Sequence, residues 1–355
     1  MQSTDDLPRR KFKRIAKRVL SKFFSDCGLV ELFAKKISMP WKILMYHRVV
    51  DPDGLDCPIE PGMYVQPETF FRHMDYLATN CNVIPLEQLV KAIDAKEKIA
   101  EKTVAITFDD GWVDNFSTAF PSLKEHGLPA TIFLATSFVG TNGTFWTNSL
   151  ALALHRLQQK RAKIEGFLKQ SFVSPKIADL ISAIIFCTDK AQANEKLSSL
   201  LTHMKNLPSK EQDVVLQALC ELAEVDTDVA AKRSFLSWAE IQEMSRHNIS
   251  FGCHSHSHAN LTELSEGELR TDINSSLAAF SAHNIKPSSV FCYPGGYFNE
   301  KTQACLQTLG FRYCLAASSY TPKAPTTPTM LGRVSIHEDI SNTCETYACR
   351  IWMGL

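Results

Sequence analysis

The sequence predicts an α/β fold in which parallel strands alternate with helices in a sheet or barrel, and three observations lead there. Seven short apolar runs recur from Trp41 onward, each nearly continuous in hydrophobicity, as strands buried on both faces require. The stretches between them carry helix-start and helix-stop signals. The residues richest in chemistry stand at the C-terminal ends of those runs, where active sites of parallel sheets and barrels form.

Residues 1–40 read as a basic amphipathic segment. Arg9, Arg10, Lys11, Lys13, Arg14, Lys17, Arg18 and Lys22 have no acidic residue among them, and Phe12, Ile15, Ala16, Val19, Leu20 and Phe23 fall at helical spacing. An apolar stripe thus faces a cationic one, which suits peripheral contact of residues 9–24 with an anionic membrane. The alternative is a solvated helix that packs its stripe on the domain.

The main domain is expected over 41–355. Its strands are Lys42–Tyr46, Val104–Phe108, Ala130–Ala135, Ile249–Cys253, Ser289–Tyr293, Tyr313–Ala317 and Leu331–Ile336. Pro67 opens a helix at a first-turn position. Ser237 with Glu240 and Ser265 with Glu268 form capping boxes. Asn299 caps a further helix that Gly310 stops. From about 147 to 231 no strand is convincing, and Leu, Ile and Ala recur at helical spacing. This reads as a helical insertion broken at Pro175 and Pro208, with Ser209 and Gln212 as another capping box.

Composition narrows the function. Thirty-eight basic and thirty-eight acidic side chains cancel, which leaves no bulk electrostatic footprint for nucleic acid. No apolar run reaches the roughly 18–20 residues that span a bilayer. Eleven cysteines, an odd number without a CxxC pair, suit a reducing compartment. Together with the absence of a signal-peptide pattern, they lead to an expectation of cytoplasmic placement, with the membrane's inner face as the site of any peripheral contact.

Four strand ends carry the chemistry: His47 after KILMY, Asp109 and Asp110 after VAITF, His254, His256 and His258 after ISFGC, and Pro294–Gly296 after SVFCY. His254 and His258 lie at i, i+4. With a carboxylate from another strand they make a three-ligand set that leaves a divalent metal open positions, the catalytic arrangement. Either Asp109 or Asp110 can supply the oxygen, and its neighbour can serve as general base. His256 is the odd member by spacing and reads as a neighbour of the set. His47 by itself is equally a buried, hydrogen-bonded residue or a functional one. Trp112 and Trp238 are sugar-stacking candidates, although each is more often core.

TFDDGW at Thr107–Trp112, followed by HSHSH at 254–258 and NLT at 260–262, resembles the first two motifs of the polysaccharide deacetylase family, the NodB-like, carbohydrate esterase 4 type. LMYHRV at Leu44–Val49, VQPETFFRHMDYL and VIPLEQL are similar to the N-terminal region of its circularly permuted branch. The resemblance spans about 41–333 except the insertion. It implies an irregular parallel (β/α) barrel, with Asp109 as base and Asp110, His254 and His258 around a divalent metal, Zn2+ first and Co2+ or Ni2+ as substitutes. It also implies His47 as acid, favoured over His337, and the Gly295 backbone N–H as oxyanion donor.

Two departures stand out. Gly295 falls where many relatives have Tyr, leaving Tyr297 as a substrate-facing candidate. The third motif also lacks an initial Arg to pair with the base, a task Arg333 could take as readily as a structural one.

The implied activity is hydrolysis of the acetamide of an N-acetylhexosamine, in a polysaccharide or a lipid-linked glycan precursor, with release of acetate. An O-deacetylase would use the same apparatus. A non-catalytic glycan-binding relative is disfavoured because base, metal set and acid are all retained. A nucleotide-sugar glycosyltransferase leaves HSHSH unexplained, and a zinc peptidase would need an HExxH that is absent.

Overall fold

The computed structural model describes residues 19–24, 27, 40–55, 61–160, 164–170, 172–225, 233–316 and 329–354. The chain divides into two compact units: Met1–Val50 with Tyr64–Val139 and Leu236–Leu355, and Asp51–Met63 with Gly140–Phe235.

The strands are β1 (Trp41–Tyr46), β2 (Arg48–Val49), β3 (Tyr64–Val65), β4 (Asn82–Val83), β5 (Thr103–Phe108), β6 (Ala130–Leu134), β7 (Ile249–Cys253), β8 (Val290–Cys292), β9 (Tyr313–Leu315), β10 (Thr329–Leu331) and β11 (Val334–Ser335). The helices begin with α1 (Pro67–Asn80), α2 (Leu86–Asp94), α3 (Phe120–Glu125), α4 (Trp146–Gln159), α5 (Ile164–Leu168) and α6 (Pro175–Ile185). They continue with α7 (Lys190–Lys205), α8 (Ser209–Ala223), α9 (Trp238–Ser245), α10 (Glu266–Ala282), α11 (Glu300–Thr308), α12 (Glu338–Ser341) and α13 (Cys344–Met353).

In the first unit, strands pair in parallel in the order β10-β9-β8-β7-β6-β5-β1-β11, with β4 also on β5 and β2–β3 as a separate ribbon. The expected run Leu331–Ile336 comes apart. Its first part joins β10 on β9, and its second becomes β11 on β1, with Gly332–Arg333 between them. These are the two ends of the sheet, yet only two residues separate them in the chain. At no more than about 3.6 Å per residue, so short a link requires the sheet to curl until its edges meet. The result is an irregular parallel barrel whose seam is bridged by covalent chain, and Arg333 lies on that bridge.

Side-chain alternation along the strands separates two layers. Ile43, Ala105, Phe133, Val290, Cys292, Leu315 and Leu331 cluster together and are joined by Leu86, Leu89 and Val90 of α2. Leu44, Tyr46, Ile106, Phe108, Ile132, Leu134, Phe251 and Phe291 belong instead to the larger cluster shared with the surrounding helices. Burial on both faces is why the strands read as unbroken apolar runs.

The marked caps form at Ser237, Ser265 and Asn299, each with its reciprocal side-chain bond, and Pro67 stands at the start of α1. At α8 the expectation fails. Ser209 is already helical and Pro208 holds the cap position, because the fixed φ of proline suits the extended residue before a helix.

The second unit contains α4 to α8 around its own core, which includes Leu150, Leu154, Ile177, Ile181, Leu200, Leu201, Val215 and Leu219. Its first helix begins at Trp146, one residue before the expected start of the insertion.

Of the N-terminal segment, residues 9–18 lie outside the described residues, whereas 19–24 are helical. Val19, Leu20 and Phe23 are 65%, 44% and 56% exposed, while Ser21 is buried and Phe24 packs on the barrel core. The described part of the apolar stripe therefore faces solvent, and the helix docks by a different edge. Among the described residues no helix is long and apolar enough to cross a membrane, and ten cysteines are free thiols.

Candidate active site

Because every ladder is parallel, the C-terminal strand ends share one face. Alternation along β5 puts Ala105 in the inner cluster, and Thr107 and Asp109 follow at the same phase. Arg333 reaches in from the seam and closes on them. Its guanidinium donates to both Asp109 carboxylate oxygens at 2.7 Å, to Thr107 Oγ1 at 3.3 Å and to the Ala316 carbonyl at 2.9 Å. The Cys292 thiol lies 3.5 Å from Asp109 Oδ1. Burial by itself would push the Asp109 carboxyl up; the adjoining guanidinium outweighs it and holds it at about 2.

After Asp109 the chain leaves the strand. Asp110 takes a left-handed backbone at φ +76°, followed by Gly111 at φ +77°. A Cβ on Gly111 would come within 2.7 Å of the Leu134 side chain, so only glycine suits this turn. The turn directs Asp110 to the β7 loop, where its Oδ1 lies 3.1 Å from His258 Nε2 and 3.4 Å from His254 Nε2. Its Oδ2 accepts from the Trp112 indole N–H at 2.8 Å.

The histidine loop is held by a residue with no local sequence signal. Asp272, one helix further on in α10, accepts from the His256 N–H at 2.8 Å, the Ser257 N–H at 3.0 Å and the Ser257 hydroxyl at 2.5 Å. Ser255 and His258 both have positive φ, at +66° and +58°, and the His258 N–H donates to Ser255 Oγ. Two of the three converging ligand candidates, Asp110 and His258, thus sit in strained backbone, the kind of conformation that a surrounding scaffold must impose. His256 turns aside, its Nδ1 2.9 Å from Thr136 Oγ1.

The donor chemistry of Asp110, His254 and His258 fits a divalent cation. Their ligand atoms lie within 4.8 Å of one another. His254 Nδ1 faces the Cys292 carbonyl at 2.8 Å, and a carbonyl can only accept. Nδ1 therefore carries a proton, which leaves Nε2 as the nitrogen directed at the triad, the orientation of a metal ligand held through its second nitrogen. Burial would raise the Asp110 carboxyl, but the two imidazoles override it and hold the group well below the ordinary range. The triad thus sets a buried carboxylate against two imidazole nitrogens, a donor set of the kind that takes a divalent cation.

His47 leaves the end of β1 with its Nε2 3.9 Å from Asp109 Oδ2. Asn115 donates to its carbonyl at 2.8 Å. Behind it, the Tyr46 hydroxyl meets that of Tyr347 at 2.8 Å and lies 3.3 Å from His73 Nδ1. Burial pushes His73 down to about 3, so this anchor stays neutral. His337 follows β11, which pairs with β1 in the register Leu44–Val334 and Met45–Ser335, so it also stands at the C-terminal strand ends; it holds the N-cap position of α12, with Asp339 as its charged neighbour at 4.0 Å.

The remaining predicted residues divide. Gly295 lies in a 3-10 turn at φ +61°, and the Tyr297 ring covers it so closely that a Cβ there would be 2.8 Å from a ring carbon. Tyr297 itself is 39% exposed and open to a ligand. Trp112 is only 1% exposed, so it cannot be a stacking platform; its partner is Asp110. Trp238 stacks on His283 at 4.2 Å and meets Phe280 edge-on, the packing of α9 on α10 rather than a contact for substrate.

Several solved structures share this fold. The Streptococcus pyogenes deacetylase PplD in complex with acetate superposes over 87% of this chain and 97% of its own at TM-score 0.53 and 17% identity. IcaB from Ammonifex degensii superposes over 87% and 96% at TM-score 0.53 and 16% identity. The curated Bacillus subtilis (strain 168) relative YxkH, whose name places it among the polysaccharide deacetylases, is 34% identical over 99 residues. That is 28% of this chain and only 33% of YxkH. The family model for polysaccharide deacetylases matches residues 96–314, more than half of the chain, from before the Asp pair to β9. The chain belongs to the polysaccharide deacetylase family.

Proposed function

We propose that the protein is a metal-dependent deacetylase that hydrolyses the acetamide of an N-acetylhexosamine, in a polysaccharide or a lipid-linked glycan precursor, and releases acetate. The observation that carries this reading is the meeting of Asp110, His254 and His258 within ligand distance, with Asp109 and His47 side by side next to them. The early YH element, with its histidine against Asp109, supports placement in the circularly permuted branch of the family.

Zn2+ is the proposed cation, held by Asp110 Oδ1 and the Nε2 atoms of His254 and His258, with Co2+ or Ni2+ as substitutes. When bound, such an ion supplies Lewis acidity toward an acyl oxygen and a water. Asp109, kept ionised by Arg333, accepts the proton of the attacking water. The Gly295 backbone N–H is offered to the developing oxyanion. Protonated His47 donates to the departing sugar amine, which is a poor leaving group without that proton. Tyr297, exposed above the Gly295 turn, is proposed to contact the sugar.

Chelation is expected to abolish acetate release from a panel of N-acetylated saccharides, and added Zn2+, Co2+ or Ni2+ to restore it. Release that continues in the chelated protein sinks the metal-dependent reading.

The protein is further proposed to work in the cytoplasm at the inner membrane face. Support comes from the solvent-facing Val19, Leu20 and Phe23 and the basic residues from Arg9 to Lys22. Partition onto anionic vesicles is expected to drop on deletion of 1–24, and equal partition would refute the contact.

A further inference from the structure

Asp110 divides its two carboxylate oxygens between different partners. Oδ1 faces the imidazoles of His254 and His258, and Oδ2 is taken by the Trp112 indole N–H at 2.8 Å. Trp112 is in turn fixed from its ring face. The Arg48 guanidinium lies 4.4 Å from the ring centroid, within the range of a cation–π contact. Arg48 is held by Asp114, whose Oδ2 accepts from Arg48 Nε at 2.8 Å and whose Oδ1 accepts from the Val49 N–H at 2.8 Å. Arg48, Trp112, Asp114 and Asp110 are all buried.

A tryptophan that only filled core volume would need no N–H partner on a ligand carboxylate. Here the indole is clamped from behind, and its single donor points at the oxygen that a cation would otherwise chelate as a second tooth.

We propose that Trp112 is a positioning residue for the metal centre: it pins Asp110 Oδ2, restricts the carboxylate to one-oxygen coordination and so keeps positions open for water and the acyl oxygen. Arg48 and Asp114 hold the indole in place. The inference rests on the metal-site reading proposed for this protein. It gives the tryptophan of the TFDDGW segment the task of orienting a ligand carboxylate through its N–H, and loss of such a partner typically lowers metal affinity by about 10–100-fold.

The test is zinc affinity by competition with a chromophoric chelator, together with the visible absorption of the Co2+-loaded protein. These are measured for the wild type, for Trp112→Phe and for Trp112→benzothienylalanine, which keeps the bicyclic shape and lacks the N–H. Both variants are expected to bind Zn2+ about 10–100-fold more weakly. Their Co2+ bands are expected to weaken, as a carboxylate freed to chelate raises the coordination number.

Wild-type zinc affinity and cobalt spectrum in both variants would overturn the proposal. So would weakening in the Phe variant alone, which would assign the effect to ring packing. If Trp112→Phe does not fold, the benzothienylalanine protein decides alone. Absence of zinc binding in the wild type would instead refute the metal site, a separate and distinguishable failure.

Discussion

Asp109→Asn is expected to lower acetate release by about 10²–10⁴-fold, the usual contribution of a positioned general base, while zinc binding stays within a few-fold of the wild type. The substitution preserves shape and removes the group that can accept a proton. Asp109 is proposed to stand apart from the ligand set, since Arg333 takes both of its carboxylate oxygens. Retained zinc with lost turnover therefore separates base from ligand. Asp110→Asn in the same assays is the contrast and should lose zinc as well. An Asp109→Asn protein with activity within tenfold of the wild type would remove Asp109 from the chemistry.

Arg333→Met should destabilise the protein by about 3–5 kcal/mol, the usual cost of stripping one partner from a buried ion pair, and shift the acid limb of the pH–rate profile upward. Both signs come from Asp109. In the wild type its carboxyl is depressed from 3.8 to about 2, so it adds stability at neutral pH that is lost as the pH falls through about 2. Its ionisation consequently does not limit activity anywhere near neutrality.

Without the guanidinium, burial is left to act on Asp109 and raises the carboxyl above its ordinary value. The base then takes up a proton as the pH falls through that higher value, and turnover is lost earlier on the acid side. Urea denaturation and a pH series of acetate release read the two effects independently. A variant that matched the wild type in both would show that the seam arginine is only filler.

Most of the candidate site was legible because its residues stand at the ends of recognisable strands. Parallel strands buried on both faces write themselves as apolar runs, and the residues immediately after each run are delivered to one face. His47, Asp109, Asp110, His254 and His258 could all be read in this way. The spacing of His254 and His258 also separated them from His256, which turns to Thr136.

Readings based on residue type alone fared worse. Trp112 and Trp238 have the rings that sugars stack on, but whether a ring is free depends on what packs against it. One is buried under Arg48 and the other is stacked on His283.

Local sequence was enough to set the order of the main barrel strands and helices, though not the short β2, β3 and β4, as well as the helical character of the stretch between β6 and α9 and which polar residues stand at strand ends. These are properties of periodicity and capping, governed by neighbours in the chain. It took tertiary packing to split one apolar run across the two edges of the sheet and swing Arg333 onto Asp109. Packing also made Asp272 tie down the histidine loop, set Trp112 against Asp110, and left the apolar stripe at Val19, Leu20 and Phe23 facing outward. Each of these depends on contacts between residues far apart in sequence, where curvature and close packing, rather than local preference, determine which groups meet.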